Sequence, residues 1–428
     1  MKTVYTCFDT DVIHEGHLEL IRQASAVGEL TVGALSDRAL MSCGGFSTLG
    51  EKERALMYSG LEGVGRLCIQ DDIFYGGEIE RYRPDVVIHA EGWRIPAVRE
   101  QALRALEHYG GTLMEIPRLS SESIRRAEGA MRDRLSMPEF RRRRLRAQLK
   151  ALPIVRVIEA HNGLTGLIAE KTSVAAAEGL RQFDAMWISS LCDSAARGKP
   201  DIALVDMTAR AGTVTEITEV TTKPVILDCD NGGAPEHLPY NIRTLERLGV
   251  SAVMIEDKEG AKKNSLFGVR HGQTQADRED FCRKIAAGKE AQLTEDFMLI
   301  ARVESLILEK GMEDALERAQ SYVRAGADGI MIHSRRKDPG EILDFCKRFR
   351  ERCPDTPLVA VPSSYSGVTE EQLSACGVNM VIYANQLIRS AFPAMQQTAE
   401  EILRFHRAKE SEERLMPISD IITLIDTI

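Results

Sequence analysis

The sequence predicts an α/β protein in two parts, a small Rossmann-like parallel sheet followed by a (β/α)8 barrel. Three observations predict it. The 428-residue chain is too long for one ordinary core. Short apolar runs alternate with helix-length segments on both sides of a single basic stretch, the rhythm of parallel strand–helix units. Several runs in the longer part end in a charged or polar residue, as barrel strands do where they present chemistry at their C-terminal rim. The expected divisions are residues 1–126, a basic linker over 127–152, and a barrel with C-terminal helices over 153–428.

In the first part KTVYTCF, LTVGALS, DVVIHAEGW and TLMEIP read as strands. HLELIRQASAVG, a segment around EKERALMYSGL and residues from about 95 to 109 read as helices. Nucleotides often bind such sheets at the strand C-termini. The stretch FDTDVIHEGHLEL puts His14, Gly16 and His17 at a helix entrance, where two imidazoles and backbone N–H groups can stabilise charge on a triphosphate; two chance histidines are the plainer alternative.

RRAEGAMRDRLSMPEFRRRRLRAQLK, residues 125–150, is expected to be a solvated linker helix, with anion or partner contact as the alternative. Beyond it the runs IVRVIEA, DAMWISS, IALVDM, PVILDCD, AVMIED, FMLIARVE, GIMIHS, PLVAVPS and NMVIYA are spaced by helical segments such as MEDALERAQSYVRAG. About eight such units over ~250 residues predict a closed barrel.

Composition limits the function. With 43% hydrophobic and 28% charged residues the chain is globular, and no run nears the roughly 18 apolar residues of a membrane helix. The N-terminus lacks the apolar core of a signal peptide, so a cytoplasmic location is expected. Nine scattered cysteines without a CxxC pair are expected to be reduced core residues. A net charge of −9 argues against generic nucleic-acid binding.

The strand ends hold the chemistry. Asp228 and Asp230 in DCDNGG and Glu256 in AVMIED are carboxylates at adjacent strand ends without a His or Cys cluster. They suit a hard ion such as Mg2+, or else pair with Lys258 and Arg302 as salt bridges. Lys258, Lys262, Asn264, Ser265, Arg302 and His333 add donors for a polyanion. EDKEGAKKNS, residues 256–265, is too polar for a core and reads as a lid over the mouth or as a solvated turn.

EDK, five residues, then NS resembles the gating loop of the phosphoenolpyruvate mutase family of the isocitrate lyase superfamily. EAHNGLTGLI, DCDNGG, ARVES, AGADGIMIHS and GVNMVIYANQ extend the resemblance over about residues 154–405. It implies interconversion of phosphoenolpyruvate and 3-phosphonopyruvate, with Asp228 on Mg2+ and Asp201, Asp230 and Glu256 holding its waters. By matched position Trp187, Ser189 and Leu191 shape the pocket, Arg302 and His333 bind substrate, and Lys262, Asn264 and Ser265 close from the lid. Asp206 rivals Asp201, and the segment after Trp187 reads ISSLC, without the family's usual small residue and glycine. Related lyases have a cysteine in this loop, which is absent here. Phosphonopyruvate hydrolase, the nearer alternative, normally has threonine where Asn264 stands. A homo-oligomer, dimer or tetramer, and a downstream decarboxylase or aminotransferase are further implications.

Residues 3–126 resemble cytidylyltransferases of the glycerol-3-phosphate type through HEGH, Arg54 in EKER, RPDVVIHAEGW with Trp93, and PRLSSESI, which contains Arg118. That implies CTP as a substrate. The family's lysine before the Arg54 helix is missing, with Cys43 and Gly44 in its place, so a non-catalytic nucleotide-binding module is the alternative.

Overall fold

The computed structural model describes residues 1–93, 95–176 and 179–425. The chain divides into two compact units, Met1–Ala384 and Asn385–Ile428.

The first unit opens with strands β1 (Lys2–Phe8), β2 (Gly28–Leu35), β3 (Arg66–Gln70), β4 (Val86–Ala90) and β5 (Thr112–Ile116), all parallel, in the order β3-β2-β1-β4-β5. Strand residues alternate between two faces, and each face is covered. Val4, Val32 and Ile88 pack with Leu20, Ile21 and Ala24 of α1 (Glu15–Val27) on one side. Tyr5 and Val87 pack with Leu40 of α2 (Asp37–Ser42), Ile79 of α4 (Gly76–Tyr82) and Ala102 of α5 (Pro96–Glu107) on the other. Between α2 and α4 lies α3 (Glu51–Ser59), whose Ala55 and Tyr58 join the first face. The sheet is therefore doubly wound, and its order reverses between β1 and β4.

The basic segment corrects an expectation. It forms α6 (Glu122–Ser136) and α7 (Pro138–Ala151), and in α7 Arg141, Arg142 and Arg144 are buried instead of solvated. Arg141 Nη2 donates to the carbonyls of Ser136, Thr218 and Thr221 at 3.0, 3.1 and 2.7 Å, and Arg142 Nη1 to that of Glu246 at 2.5 Å. Arg146 reaches the carbonyls of Asp296 and Phe297. These acceptors lie at helix ends or just ahead of barrel strands, where backbone oxygens lack partners, so a guanidinium fork satisfies them. Leu145, on the same helix, enters the barrel core. The helix plugs the N-terminal end of the barrel.

The barrel strands are β6 (Val155–Glu159), β9 (Ala185–Ile188), β10 (Val225–Asp228), β11 (Ala252–Glu256), β14 (Met298–Val303), β15 (Gly329–Ile332), β16 (Leu358–Ala360) and β17 (Met380–Tyr383). They close in the order β10-β11-β14-β15-β16-β17-β6-β9. Two hairpins interrupt the count: β7 (Ser173–Ala176) with β8 (Gly179–Gln182), and β12 (Lys258–Glu259) with β13 (Thr274–Gln275). Val157, Trp187, Ile226, Met254, Ile300 and Val359 fill the interior. Nine runs were expected as strands and eight form the barrel; IALVDM does not. Ile202 and Leu204 are exposed there, and the Asp206 carboxylate accepts Ala209 N at 2.9 Å, so the run ends as the N-cap of α10 (Met207–Glu219). Between β6 and β10 lie also α8 (Gly163–Lys171) and α9 (Ser190–Ala196).

The second unit consists of a helix over Gln386–Phe405, a short 3-10 turn and a helix over Ile418–Ile422, with Arg414 paired to Glu401. Among the described residues no helix is long and apolar enough to cross a membrane.

Candidate active site

β10 and β11 deliver their last residues, Asp228 and Glu256, to one rim. Asp230 follows in a left-handed turn at φ 51°, a conformation that aspartate tolerates better than most residues, and Gly232 and Gly233 continue it at positive φ. Asp230 N donates to Asp228 Oδ1 at 3.1 Å and Glu256 N to Asp230 O at 2.7 Å, so the turn fixes the three acids relative to one another.

The acids face a wall of cations. Arg302 of β14 is the register partner of Glu256, and its Nη2 lies 2.9 Å from Glu256 Oε2. Its Nε donates to Glu304 Oε1 at 2.5 Å, and the same oxygen meets His333 Nδ1 at 3.2 Å. Burial opposes the charge on Asp228, but Lys262, Arg302 and Arg210 and the Ser190 hydroxyl hold its carboxyl well below the usual range. Burial also opposes the Arg302 guanidinium, and Glu304, Glu256 and Asp228 more than offset that. For His333 burial and the nearby Arg302 prevail over Glu304, and its pKa falls; the imidazole is a neutral donor or acceptor.

The polar decapeptide is a lid. Asp257 turns away from the mouth, as alternation along a strand requires, and its carboxylate accepts from Tyr322 Oη, Glu304 N and Gln275 Nε2. Lys258 faces inward; its Nζ donates to Lys263 O at 2.9 Å, Ser265 Oγ at 2.8 Å and Gln273 Oε1 at 2.9 Å, tying both arms of the loop together. Lys262 Nζ hydrogen-bonds Asp230 Oδ1 and lies 3.2 Å from Ser190 Oγ. Asn264 Nδ2 donates to Asp201 Oδ2 at 2.8 Å, and Arg302 Nη2 to Ser265 Oγ at 2.5 Å. A cavity of about 300 Å³ lies beside the loop, lined by Asn231, Glu256, Lys258, Lys262 and Gln273 among others.

The structure thus brings together Asp201, Asp228, Asp230, Glu256, Lys262, Asn264, Ser265, Arg302 and His333. Asp206 is not a rival, because its carboxylate caps α10. Trp187 is buried in the barrel interior, Ser189 caps α9 through Cys192 N at 3.4 Å, and Leu191 is half-buried on that helix. Both salt-bridge partners weighed for the acids are realised: Lys258 and Arg302 each pair with Glu256. Among the described residues no set of three or more His, Cys, Asp or Glu side chains is arranged as a ready metal site. The residues nonetheless fit a hard cation, since four carboxylates meet there and Asp201 Oδ1 is buried without a hydrogen-bond partner. Two participants escaped the sequence. Arg210 of α10 sits 3.7 Å from Asp230 with no local motif to mark it, and Ser190 donates to Asp228 Oδ2 at 2.9 Å.

The other candidate site lies at the C-terminal ends of β1 and β4. His14 Nδ1 accepts Gly16 N at 3.2 Å and His17 Nδ1 accepts His14 N at 3.4 Å, a capping arrangement that leaves both Nε2 atoms as the remaining N–H donors. Burial, then His14 and Arg118, lower the His17 pKa to about 4, and burial lowers that of His14. Trp93 stacks on His89 at 3.7 Å beside a cavity of about 140 Å³ that Asp9, Cys43 and Tyr75 also line. Arg118 is exposed and pairs with Glu128. Arg54, buried, donates to Asp37 and to the carbonyls of Leu35 and Leu49, so it supports the fold and is not presented to a ligand.

Residues 145–403 match the family model described as phosphoenolpyruvate phosphomutase. A phosphoenolpyruvate phosphomutase of Tetrahymena pyriformis is 35% identical over 269 residues, covering 63% of this chain and 85% of that protein. The crystal structure of a phosphoenolpyruvate phosphomutase from Streptomyces platensis subsp. rosaceus aligns with TM-score 0.61 and 36% identity over 66% of this chain and 94% of its own. A phosphonopyruvate hydrolase solved with oxalate and Mg2+ aligns with TM-score 0.59 and 34% identity over the same shares.

Proposed function

The chain belongs to the phosphoenolpyruvate phosphomutase family, and from that premise we propose that it interconverts phosphoenolpyruvate and 3-phosphonopyruvate. The P–O bond to the enol oxygen breaks, a P–C bond to the methylene carbon forms, and the enol becomes a ketone without net gain or loss of a proton. The observation that carries this reading is the docked lid, in which Asn264 reaches Asp201 across the mouth and Ser265 reaches Arg302.

A loose phosphoryl group must be captured by carbon before water reaches it, so positioning and dryness matter more than a strong base. In the proposed arrangement Arg302 and His333 grip the anionic substrate, Trp187, Ser189 and Leu191 set the pocket wall, and Asn264 guides the moving group while Lys262 and Ser265 seal it. Asp228 would hold Mg2+, with Asp201, Asp230 and Glu256 on its waters. Bound there, the ion supplies positive charge against substrate oxygens. The related phosphonopyruvate hydrolase was solved with Mg2+ and oxalate, which supports Mg2+ as the ion.

For residues 1–126 we propose a nucleotide-binding module that has lost, or nearly lost, cytidylyltransferase turnover. His14, Gly16, His17, Trp93 and Arg118 would meet CTP, but neutral imidazoles and a structurally committed Arg54 leave little charge for a triphosphate. A homo-oligomer in the cytoplasm, and a decarboxylase or aminotransferase consuming phosphonopyruvate, complete the proposal.

Phosphorus NMR of the protein with Mg2+ and 3-phosphonopyruvate tests it. Phosphoenolpyruvate is the expected product, whereas inorganic phosphate would identify a hydrolase. With CTP and 2-aminoethylphosphonate added, no CMP-phosphonate signal is expected.

A further inference from the structure

We propose that Lys284 is a positioning residue of the barrel site: its ammonium clamps the far half of the turn that carries Asp228 and Asp230, and metal affinity and turnover depend on that clamp. The proposal rests on the Mg2+ reading of those acids given above.

The two halves of the turn are held differently. The near half is tied to β11, where Cys229 N donates to Met254 O at 2.8 Å and Glu256 N to Asp230 O at 2.7 Å. The chain then passes through positive φ at Asp230, Gly232 and Gly233, and two glycines leave the backbone free to relax. Within the turn Gly232 N donates to Cys229 O at 2.8 Å and Gly233 N to Asn231 Oδ1 at 3.0 Å. The carbonyls of Asn231 and Gly233 are taken by Lys284, whose Nζ donates to them at 2.9 and 3.1 Å. A Cβ at Gly232 would stand 3.6 Å from Lys284 Cδ, so the lysine stem packs against the turn as well.

The helix that supplies Lys284, over Arg278–Ala291, is firmly seated. Phe281 and Gly288, three residues before Lys284 and four after it, lie on the same face and are buried. A Cβ at Gly288 would come within 2.6 Å of Leu299 Cδ1, which shows how closely this helix approaches β14. Lys284 itself is half-buried, burial lowers its pKa, and among the described residues it forms no ion pair. Lys289 of the same helix shows the usual solution, with its Nζ 2.6 Å from the Asp328 carboxylate. A desolvated ammonium without a carboxylate is unfavourable, and two carbonyls offset that only in part. That both of those carbonyls belong to the turn of the metal acids is what points to a role in the site.

Ligand-bearing groups must be held to within about 0.5 Å of their working geometry. Without Lys284 the segment after Asp230 relaxes, and Asp228, whose Oδ1 accepts Asp230 N at 3.1 Å, loses its orientation with it. The coupling is reciprocal: a clamp that favours the metal must itself be favoured by the metal.

The test measures Mn2+ binding, by loss of its free EPR signal, and turnover at saturating Mg2+ in the full chain and in Lys284→Met, Lys284→Arg and Lys289→Met. Partners that orient metal ligands typically govern about 10- to 100-fold in affinity or activity, and a loss of that size is expected in Lys284→Met, with kcat lowered more than KM is raised. Lys284→Arg should recover most of the affinity. Lys289→Met should unfold at lower urea yet bind Mn2+ as the parent protein does. Parental Mn2+ affinity in Lys284→Met would overturn the clamp and leave the metal reading standing. So would an equal loss in Lys289→Met, which would reduce the effect to helix packing, or no recovery with arginine. Absence of Mn2+ binding by the unaltered protein would overturn both. Should Lys284→Met fail to fold, acetic anhydride labelling of the unaltered protein decides: Mg2+ should slow acetylation of Lys284 several-fold and leave Lys289 unaffected, and indifference of Lys284 to Mg2+ would overturn the proposal.

Discussion

Both candidate sites sit at the C-terminal ends of parallel strands, yet they solve opposite electrostatic problems. The barrel mouth concentrates Lys258, Lys262, Arg302 and Arg210 against Asp228, Asp230, Glu256 and Glu304, nearly all buried and held at fixed distances. The site at the β1 and β4 ends offers aromatic faces, two neutral imidazoles and one exposed arginine. Dense fixed charge costs desolvation but is ready for a small polyanion; stacked rings are cheap to bury and grip a flat group without neutralising phosphates. The difference teaches that strand topology chooses where a site lies, while the committed partners of each cation decide what it can still bind.

The largest effect expected is on the barrel side. Asn264 Nδ2 is a neutral donor placed at the lid tip on Asp201, so Asn264→Ala should lower mutase turnover by about 10³-fold, the scale for losing a positioned donor. Folding and Mn2+ affinity should stay near those of the parent protein. Steady-state kinetics with a calorimetric melt checks this, and turnover within tenfold of the parent would place the chemistry elsewhere. Next in size is Arg141, whose guanidinium satisfies the carbonyls of Ser136, Thr218 and Thr221 beneath the barrel. Arg141→Met should destabilise the protein by about 3 kcal/mol in urea unfolding, because buried acceptors are left unpaired. A loss below about 0.5 kcal/mol, the usual size for a surface change, would mean the plug helix is an appended segment and not part of the barrel.

How much of this was legible in the sequence follows from where partners lie. The barrel strands and their acidic ends could be read because alternation and strand length are local properties. The IALVDM run misled because six largely apolar residues look like a buried strand, although Asp206 ahead of a helical stretch is a capping signal that could have been weighed. The arginines of α7 read as solvated because, Ser136 apart, the backbone carbonyls they reach are 77 to 151 residues away, which no spacing within the helix reveals. For the same reason Arg210 was invisible: its value comes from Asp230, across the mouth. HEGH was legible as a helix entrance, but that its two imidazoles cap backbone N–H groups is a matter of ring placement.

That placement gives the smallest effect and the sharpest check on the contrast between the sites. His17 titrates near pH 4 when folded, against about 6.5 in an unfolded chain. Between those values the unfolded chain binds more protons, so stability must rise with pH across the window. The contribution is complete above about pH 6.5 and is lost as pH falls toward 4. For a largely but not wholly buried ring, about 2 kcal/mol is the scale of the change. His17→Gln should flatten that part of the pH profile in urea unfolding, and imidazole NMR should show His17 neutral, with its proton on Nε2, throughout mild acid. An imidazole that instead titrates near 6.5 would give the β1 and β4 site a cation close to neutrality. The lack of charge that now separates it from the barrel mouth would then be gone, and with it the reason to deny this site a triphosphate.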